Sequence, residues 1–320
     1  MKKDAEKKLL IIGATPISAG VGGVTVHVER LMQYLESLHF PFDHFDYKTQ
    51  SLLGVVRQVR KAGLVHLHVC NPYYMFLLTI VSIIFHKKLI ITLHGKYVEG
   101  EQKPWALISF AIRRCSVPIV LNNESFDTCI KLNPHTKLIP AFIPPQKKEM
   151  LDEKIVDVVN EIHKNGRKAV VTYGYDEYKD VFGKEIYGIS FLLPFFNNNP
   201  KYTLVVSNPT GTYKVKYSKD YPNIVFLDGA LPLYELLKIT DIFVRNTSKD
   251  GDSLSVKEGL YLGKQVICTD VVNRPEGTQL FGYCDEVSLQ KCLDTGLSLT
   301  DTTVKSGEKE IVQLYQDLIE

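Results

Sequence analysis

Short, continuously apolar runs alternate with longer amphipathic segments along this chain. Leu9–Gly13 (LLIIG) and Leu89–Leu93 (LIITL) show no polar alternation, the pattern of strands covered on both faces of a parallel sheet. The same reading predicts strands at 42–47, 64–69, 118–121 and 137–139, with helices at 24–38, 51–62, 73–86 and 105–114. Gly20-Val21-Gly22-Gly23 leads into the first of these helices. Helix 51–62 sets Arg57, Arg60 and Lys61 at i, i+3, i+4 on one face. After the proline-rich segment 140–145 the alternation restarts. Strands are predicted at 169–173, 203–207, 224–227, 241–244 and 265–269, and helices at 186–196, 233–240 and 255–262. The last segment carries Ile311, Leu314, Tyr315 and Leu318 at the spacing of an amphipathic helix. Strands separated by helices imply parallel sheets with right-handed crossovers. The expected class is α/β, with two Rossmann-like β/α/β domains facing a central cleft. Residues 1–145 form the first domain; residues 146–320, with the terminal helix, form the second.

Composition narrows the class without changing it. The chain has 320 residues, 45% hydrophobic and 23% charged, which excludes disorder, collagen and coiled coil as whole-chain descriptions. Net charge is +2, so nucleic acid is not the expected partner. The charge is unevenly spread. Residues 1–150 hold 19 basic and 11 acidic side chains, and the remainder 19 and 25. A basic first half suits anionic lipid or a phosphorylated substrate. Leu9–Ile12 is too short for a signal-peptide core, and the longest apolar stretch, Tyr73–Phe85, is too short to span a bilayer and reads as a buried helix. Cys70, Cys115, Cys129, Cys268, Cys284 and Cys292 form no Cys-x-x-Cys pair and read as small core residues in a reducing cytosol. The expected location is cytoplasmic, peripheral on the inner face of a membrane.

Ligands of open α/β sheets bind beyond the carboxyl ends of the strands. The residues there are Gly20–Gly23, Asn71, His94-Gly95, Asn122, Gly174, Gly229 and the run Arg245–Glu258. Gly22 and Gly23 suit close approach of an anion to a helix start, but Thr25 breaks the Gly-x-Gly-x-x-Gly spacing of a nicotinamide site. His66 and His68 point to one face of a strand. With His94 they form a potential metal trio, but no acid or cysteine stands at a metal-motif spacing, so no metal is expected. In the run Arg245-Asn-Thr-Ser-Lys249-Asp250-Gly-Asp252-Ser253-Leu254-Ser-Val-Lys-Glu258, two acids, Asp250 and Glu258, flank a helix start. The N–H groups there favour a diphosphate, and the carboxylates suit vicinal hydroxyls. That combination describes a nucleotide sugar.

Asp250-x7-Glu258, followed by Gly-Leu-Tyr-Leu-Gly-Lys-Gln-Val-Ile-Cys-Thr-Asp and Arg274-Pro275-Glu276-Gly277, resembles the C-terminal signature of glycosyltransferase family 4, retaining enzymes of the GT-B fold. The resemblance covers most of the chain. Gly22-Gly23-Val-Thr-Val-His27-Val-x-x-Leu31 is similar to that family's glycine loop and helix. Thr92-Leu-His94-Gly95 is similar to the strand end presenting a histidine to the donor sugar, and residues 138–145 to the interdomain linker. Phe226-Leu-Asp-Gly229-Ala-Leu231-Pro, with Glu235-Leu236, resembles the base-binding loop. The chain departs from the family in three respects. Asp250 replaces the usual glutamate. Ser253 stands where glycine often presents its N–H. Tyr175 and Tyr187 stand where an arginine and a lysine hold the diphosphate, with Lys179, Lys184, Arg245 or Lys249 as substitutes. Asp250-Gly-Asp252 also matches the metal-binding Asp-x-Asp of the GT-A fold, but it sits inside the acid-x7-acid frame of a second domain and is read as coincidence.

The resemblance implies a metal-independent transferase with no cofactor beyond its donor substrate, moving a sugar from a nucleotide diphosphate to a glycan or lipid-linked acceptor in surface polysaccharide or glycoconjugate synthesis. It implies Asp250, Glu258 and His94 as catalytic-site residues, with Asp250 and His94 on the sugar and Glu258 on the ribose hydroxyls. Donor contacts are expected at Gly22, Gly23, Gly174, Gly229, Leu231, Arg245, Lys249, Ser253 and Leu254, and Arg245 is expected to grip the diphosphate. The alternatives are a non-catalytic GT-B subunit that binds a partner enzyme or glycan, and a nucleotide-sugar epimerase.

Overall fold

The computed structural model describes residues 8–20, 22–100, 103–180, 182–250, 253–296 and 304–319. The charged N-terminus up to Lys7, Val21 of the glycine loop, and Gly251 and Asp252 of the Asp-x-Asp pair lie outside them. The chain divides into two compact units, residues 1–147 with 305–320, and residues 148–304.

The first unit is built on a six-stranded sheet: β1 (Leu9–Gly13), β2 (Phe42–Phe45), β3 (Leu64–His68), β4 (Lys88–Leu93), β5 (Val117–Val120) and β6 (Lys137–Leu138). All pairings are parallel, in the order β2-β1-β3-β4-β5-β6. β1 and β3 are buried along their whole length, as the unbroken apolar run of β1 requires. Helix Gly23–Ser37 packs Val28, Leu31 and Leu35 into the core on one side of this sheet. Helix Pro72–Ile84 starts at Asn71, whose side chain accepts from the N–H groups of Tyr73 and Tyr74, with Pro72 at its first position. It buries Met75, Leu78 and Val81 but leaves Tyr73, Ile83 and Ile84 exposed, so only one side of the predicted buried helix is covered. Among the described residues no helix is long and apolar enough to cross a membrane.

Helix Glu308–Ile319 belongs to this first unit, not to the second domain as the sequence order suggests. Its Ile311, Leu314 and Tyr315 join the cluster of Leu9, Ile11, Val28 and Ile90. An amphipathic stripe states only that some apolar face must receive it; here that face is on the N-terminal sheet.

The second unit repeats the plan with β7 (Lys168–Tyr173), β8 (Tyr202–Asn208), β9 (Val225–Asp228), β10 (Ile242–Arg245), β11 (Gln265–Thr269) and β12 (Gln279–Phe281). Its parallel order is β12-β11-β10-β7-β8-β9, the doubly wound arrangement. The apolar spacing does not predict helix Asn123–Leu132, which joins β5 to β6 in the first unit, or helices Glu153–Lys164 and Glu286–Thr295, which precede β7 and follow β12. Each starts after a side-chain cap: Asn122, Asp152 and Asp285 accept backbone N–H groups. The helix predicted from Ile186 starts at Ile189, because Gly188 holds a left-handed φ of 51° before it. A Cβ on Gly188 would lie 2.4 Å from Asn246 Nδ2, so only glycine fits.

Candidate functional site

In a doubly wound sheet the ligand crevice opens where strand order reverses. In the second unit that point lies between β7 and β10. Gly174 follows β7 and Arg245 ends β10.

Arg245 is not open to a ligand on every edge. Its Nε donates to Asp250 Oδ2 at 2.6 Å and its Nη2 to Asp250 Oδ1 at 2.8 Å. Arg274, which follows β11, donates from Nη1 to the same Oδ2 at 2.6 Å. The Arg274 side chain is 2% exposed and that of Asp250 7%. Two guanidinium groups thus share one buried carboxylate, leaving one net positive charge. Burial raises the Asp250 carboxyl, but the hydrogen bonds and charge of Arg245 and Arg274 outweigh it and hold the group below its ordinary value. Arg274 also donates from Nε to the Thr269 carbonyl at 3.0 Å, and Thr269 Oγ1 donates to the Thr247 carbonyl at 2.8 Å. The cluster therefore ties the ends of β10 and β11 together.

Both Asp250 oxygens accept from arginines, so any sugar hydroxyl meeting this carboxylate, as expected from the sequence, would share it with two guanidinium groups. Arg245 takes the pairing with Asp250, and its guanidinium lies 5.8 Å from the centre of the Tyr187 ring. Lys249, Lys179 and Lys184 are exposed. Tyr175 is 36% exposed and stacks on Tyr178 at 6.4 Å. Arg274, the third member, is missing from the site residues that the sequence implies. Its place beyond the carboxyl end of β11 is the signal that marks it.

Ser253 and Leu254 stand at the start of helix Leu254–Tyr261, with Ser253 as its N-cap residue and its Oγ 3.0 Å from Ser255 Oγ. Glu258 lies in the second turn and is 3% exposed, so it is no part of a solvated helix face. Gly174 is a packing glycine: a Cβ there would lie 2.7 Å from Ile189 Cδ1. Its N–H donates to the Ser207 carbonyl and its carbonyl accepts from Asn208 Nδ2. Gly229 holds φ +84° in an exposed turn after β9. Leu231 packs partly buried on the core beneath it. Asn246 is fully buried, and its Nδ2 donates to the Gly188 carbonyl at 2.8 Å.

The first unit has its own reversal point, between β1 and β3. Gly13 of β1 pairs with His68, the last residue of β3. Gly22 and Gly23 are exposed at the start of helix Gly23–Ser37. The Gly22 N–H donates to Thr25 Oγ1 at 3.0 Å and is not left for an anion. Neither glycine would crowd an added Cβ. Asn71 and Asn122 are helix caps.

The histidines regroup. His66 is fully bonded, with Nδ1 to the Tyr315 hydroxyl and Nε2 to Thr92 Oγ1 at 2.7 Å. His68 and His94 are joined by a 3.0 Å Nδ1···Nε2 hydrogen bond. His27, from the helix, takes the place that the strand alternation gave to His66. Its ring centre lies 5.3 Å from that of His68 and 5.0 Å from that of His94. Burial first, and then neighbouring histidines, hold the His68 and His94 imidazoles well below the usual histidine range, so both are neutral at pH 7. Of the six cysteines, all free, Cys70 is exposed and Cys284 half-buried, against the expectation of core positions throughout.

No protein-family model matches the chain, and no curated protein matches it. Solved structures do. HepE from Anabaena, in complex with UDP-glucose, superposes with a TM-score of 0.65 at 14% identity, over 97% of this chain and 98% of that one. A glycosyltransferase from Rickettsia africae gives a TM-score of 0.68 at 11% identity, over 99% of each chain. Sucrose-phosphate synthase from Thermosynechococcus elongatus gives 0.58 at 13%, over 98% of this chain and 96% of that one. These are GT-B glycosyltransferases, and at such identities the likeness shows the fold: this chain has the GT-B fold, with two parallel six-stranded sheets flanked by helices.

Proposed function

We propose that the chain is a retaining glycosyltransferase that moves a sugar from a nucleotide-diphosphate sugar to a glycan or lipid-linked acceptor. One observation carries the reading: the buried Arg245–Asp250–Arg274 cluster, with one net positive charge, at the carboxyl ends of β10 and β11. A transferase must neutralise the diphosphate that leaves, and pre-oriented guanidinium groups do so without reorganisation. Asp250 spaces and orients the two arginines. The N–H groups at Ser253 and Leu254 add the positive end of a helix, and Glu258 accepts from the ribose hydroxyls. UDP and UDP-glucose are bound in structures of HepE, which shares the fold, and this makes UDP the first probe. With cations supplied by arginine, no transfer step requires a metal. The basic first unit brings the enzyme to an anionic membrane, where a lipid-linked acceptor would lie, and surface polysaccharide or glycoconjugate synthesis is the matching process.

One observation favours a second reading, a non-catalytic GT-B subunit: the first acid of the acid-x7-acid frame is engaged by two arginines. Calorimetry separates the two. In the transferase reading Arg245→Ala and Arg274→Ala each weaken UDP far more than uridine, and the wild type turns over a UDP-sugar. Equal loss for both ligands, or none, rejects the grip.

A further inference from the structure

We propose that His27, His68 and His94 form a binding site for one borderline divalent metal ion, Zn2+ being the probe. The three residues come from separate elements: the helix Gly23–Ser37, the end of β3, and the residue after β4. One ligand nitrogen from each lies within 4.8 Å of the other two. The cluster stands at the reversal point of the first sheet, where an open α/β sheet accepts ligands. It lies within the first unit and does not depend on the reading of the Arg245–Asp250–Arg274 cluster, which lies in the second.

The chemistry of the rings fits an ion. His27 Nδ1 is 2.7 Å from the Ala141 carbonyl. A carbonyl only accepts, so that nitrogen carries the proton and Nε2 carries the lone pair, the second-shell device that orients metal-binding histidines. His68 Nε2 is buried and has no hydrogen-bond partner among the described residues, which is costly for a polar atom unless something coordinates it. His66 is excluded as a ligand, because both its nitrogens are bonded. His94 is only half-buried, whereas His27 and His68 are 2% and 0% exposed, so an ion would enter past His94. Neutral imidazoles are the form that binds Zn2+, at about 2.0–2.1 Å, with a fourth position left for water. That geometry needs the rings to draw together and the His68–His94 hydrogen bond to yield. An ion there also takes a lone pair of His94, so it competes with any contact of His94 to a sugar.

The test uses the full chain, freed of metal by chelation. Zn2+ calorimetry and the visible ligand-field absorption of Co2+ are read on wild type, His94→Ala, His68→Gln and, as a control in the second unit, His163→Gln. The expected result is one ion per chain, a tetrahedral Co2+ spectrum, affinity lowered about tenfold or more in His94→Ala and His68→Gln, and no change in His163→Gln. Should His68→Gln fail to fold, His94→Ala decides, because that side chain is less buried than His68. No stoichiometric binding, or binding that survives His94→Ala unchanged, overturns the proposal and leaves a histidine cluster served by water.

Discussion

Arg274 and Asp250 meet across 24 residues of sequence through a 2.6 Å hydrogen bond, on the same carboxylate oxygen that receives Arg245 Nε. The buried carboxylate is a structural tie, and the cluster it forms with the two guanidinium groups keeps one net positive charge. The consequences of removing it follow from burial.

Asp250→Ala leaves two arginines facing each other with no anion between them. Breaking a buried pair by deleting one partner costs about 3–5 kcal/mol. Urea unfolding should show a loss of that order. A change under about 1 kcal/mol, the level of an exposed pair, would show that water already screens the cluster.

Acid should act on the same residue. The Asp250 pKa is depressed in the folded protein, so its stabilisation is complete above the unfolded value of about 3.9 and is lost as pH falls through the folded value. Wild-type stability should therefore drop more steeply than that of Asp250→Asn below about pH 5. Parallel curves from pH-dependent urea melts would contradict this assignment.

Glu258 is buried in the helix that follows the cluster. Replacing it by alanine should weaken UDP by roughly 1.5–3 kcal/mol, the worth of a hydrogen bond to a charged acceptor, with Glu258→Gln milder. A lowered melting temperature with unchanged UDP affinity would assign Glu258 to the core alone.

Helix Leu52–Lys61 turns Leu53, Arg57, Arg60 and Lys61 to solvent, with Leu53 84% exposed. An apolar tip among cations suits an anionic bilayer, each cation contributing about 1 kcal/mol near the surface. Sedimentation with anionic vesicles at low salt should retain the protein, and alanine at Arg57, Arg60 and Lys61 together should release it. Equal partitioning onto neutral vesicles would sink the idea.

Much of the fold is legible in local pattern. Leu9–Gly13 and Leu89–Leu93 show no alternation of apolar and polar positions, so each reads as a strand buried on both faces, and parallel sheets follow. The carboxyl-end rule then marks Arg245, Asp250 and His94 as residues of interest. Only the tertiary structure decides what each one does. Alternation in β3 puts His66 and His68 on one face but does not reveal that Tyr315 and Thr92 occupy His66, leaving His27 beside His68. The stripe of helix Glu308–Ile319 fits any apolar face, and the choice of the first sheet is a matter of which surface is left uncovered. Asp250 meets Arg274 because β10 and β11 are neighbours in the sheet. Local periodicity records which side of an element is apolar; partners brought together by strand pairing leave no local trace.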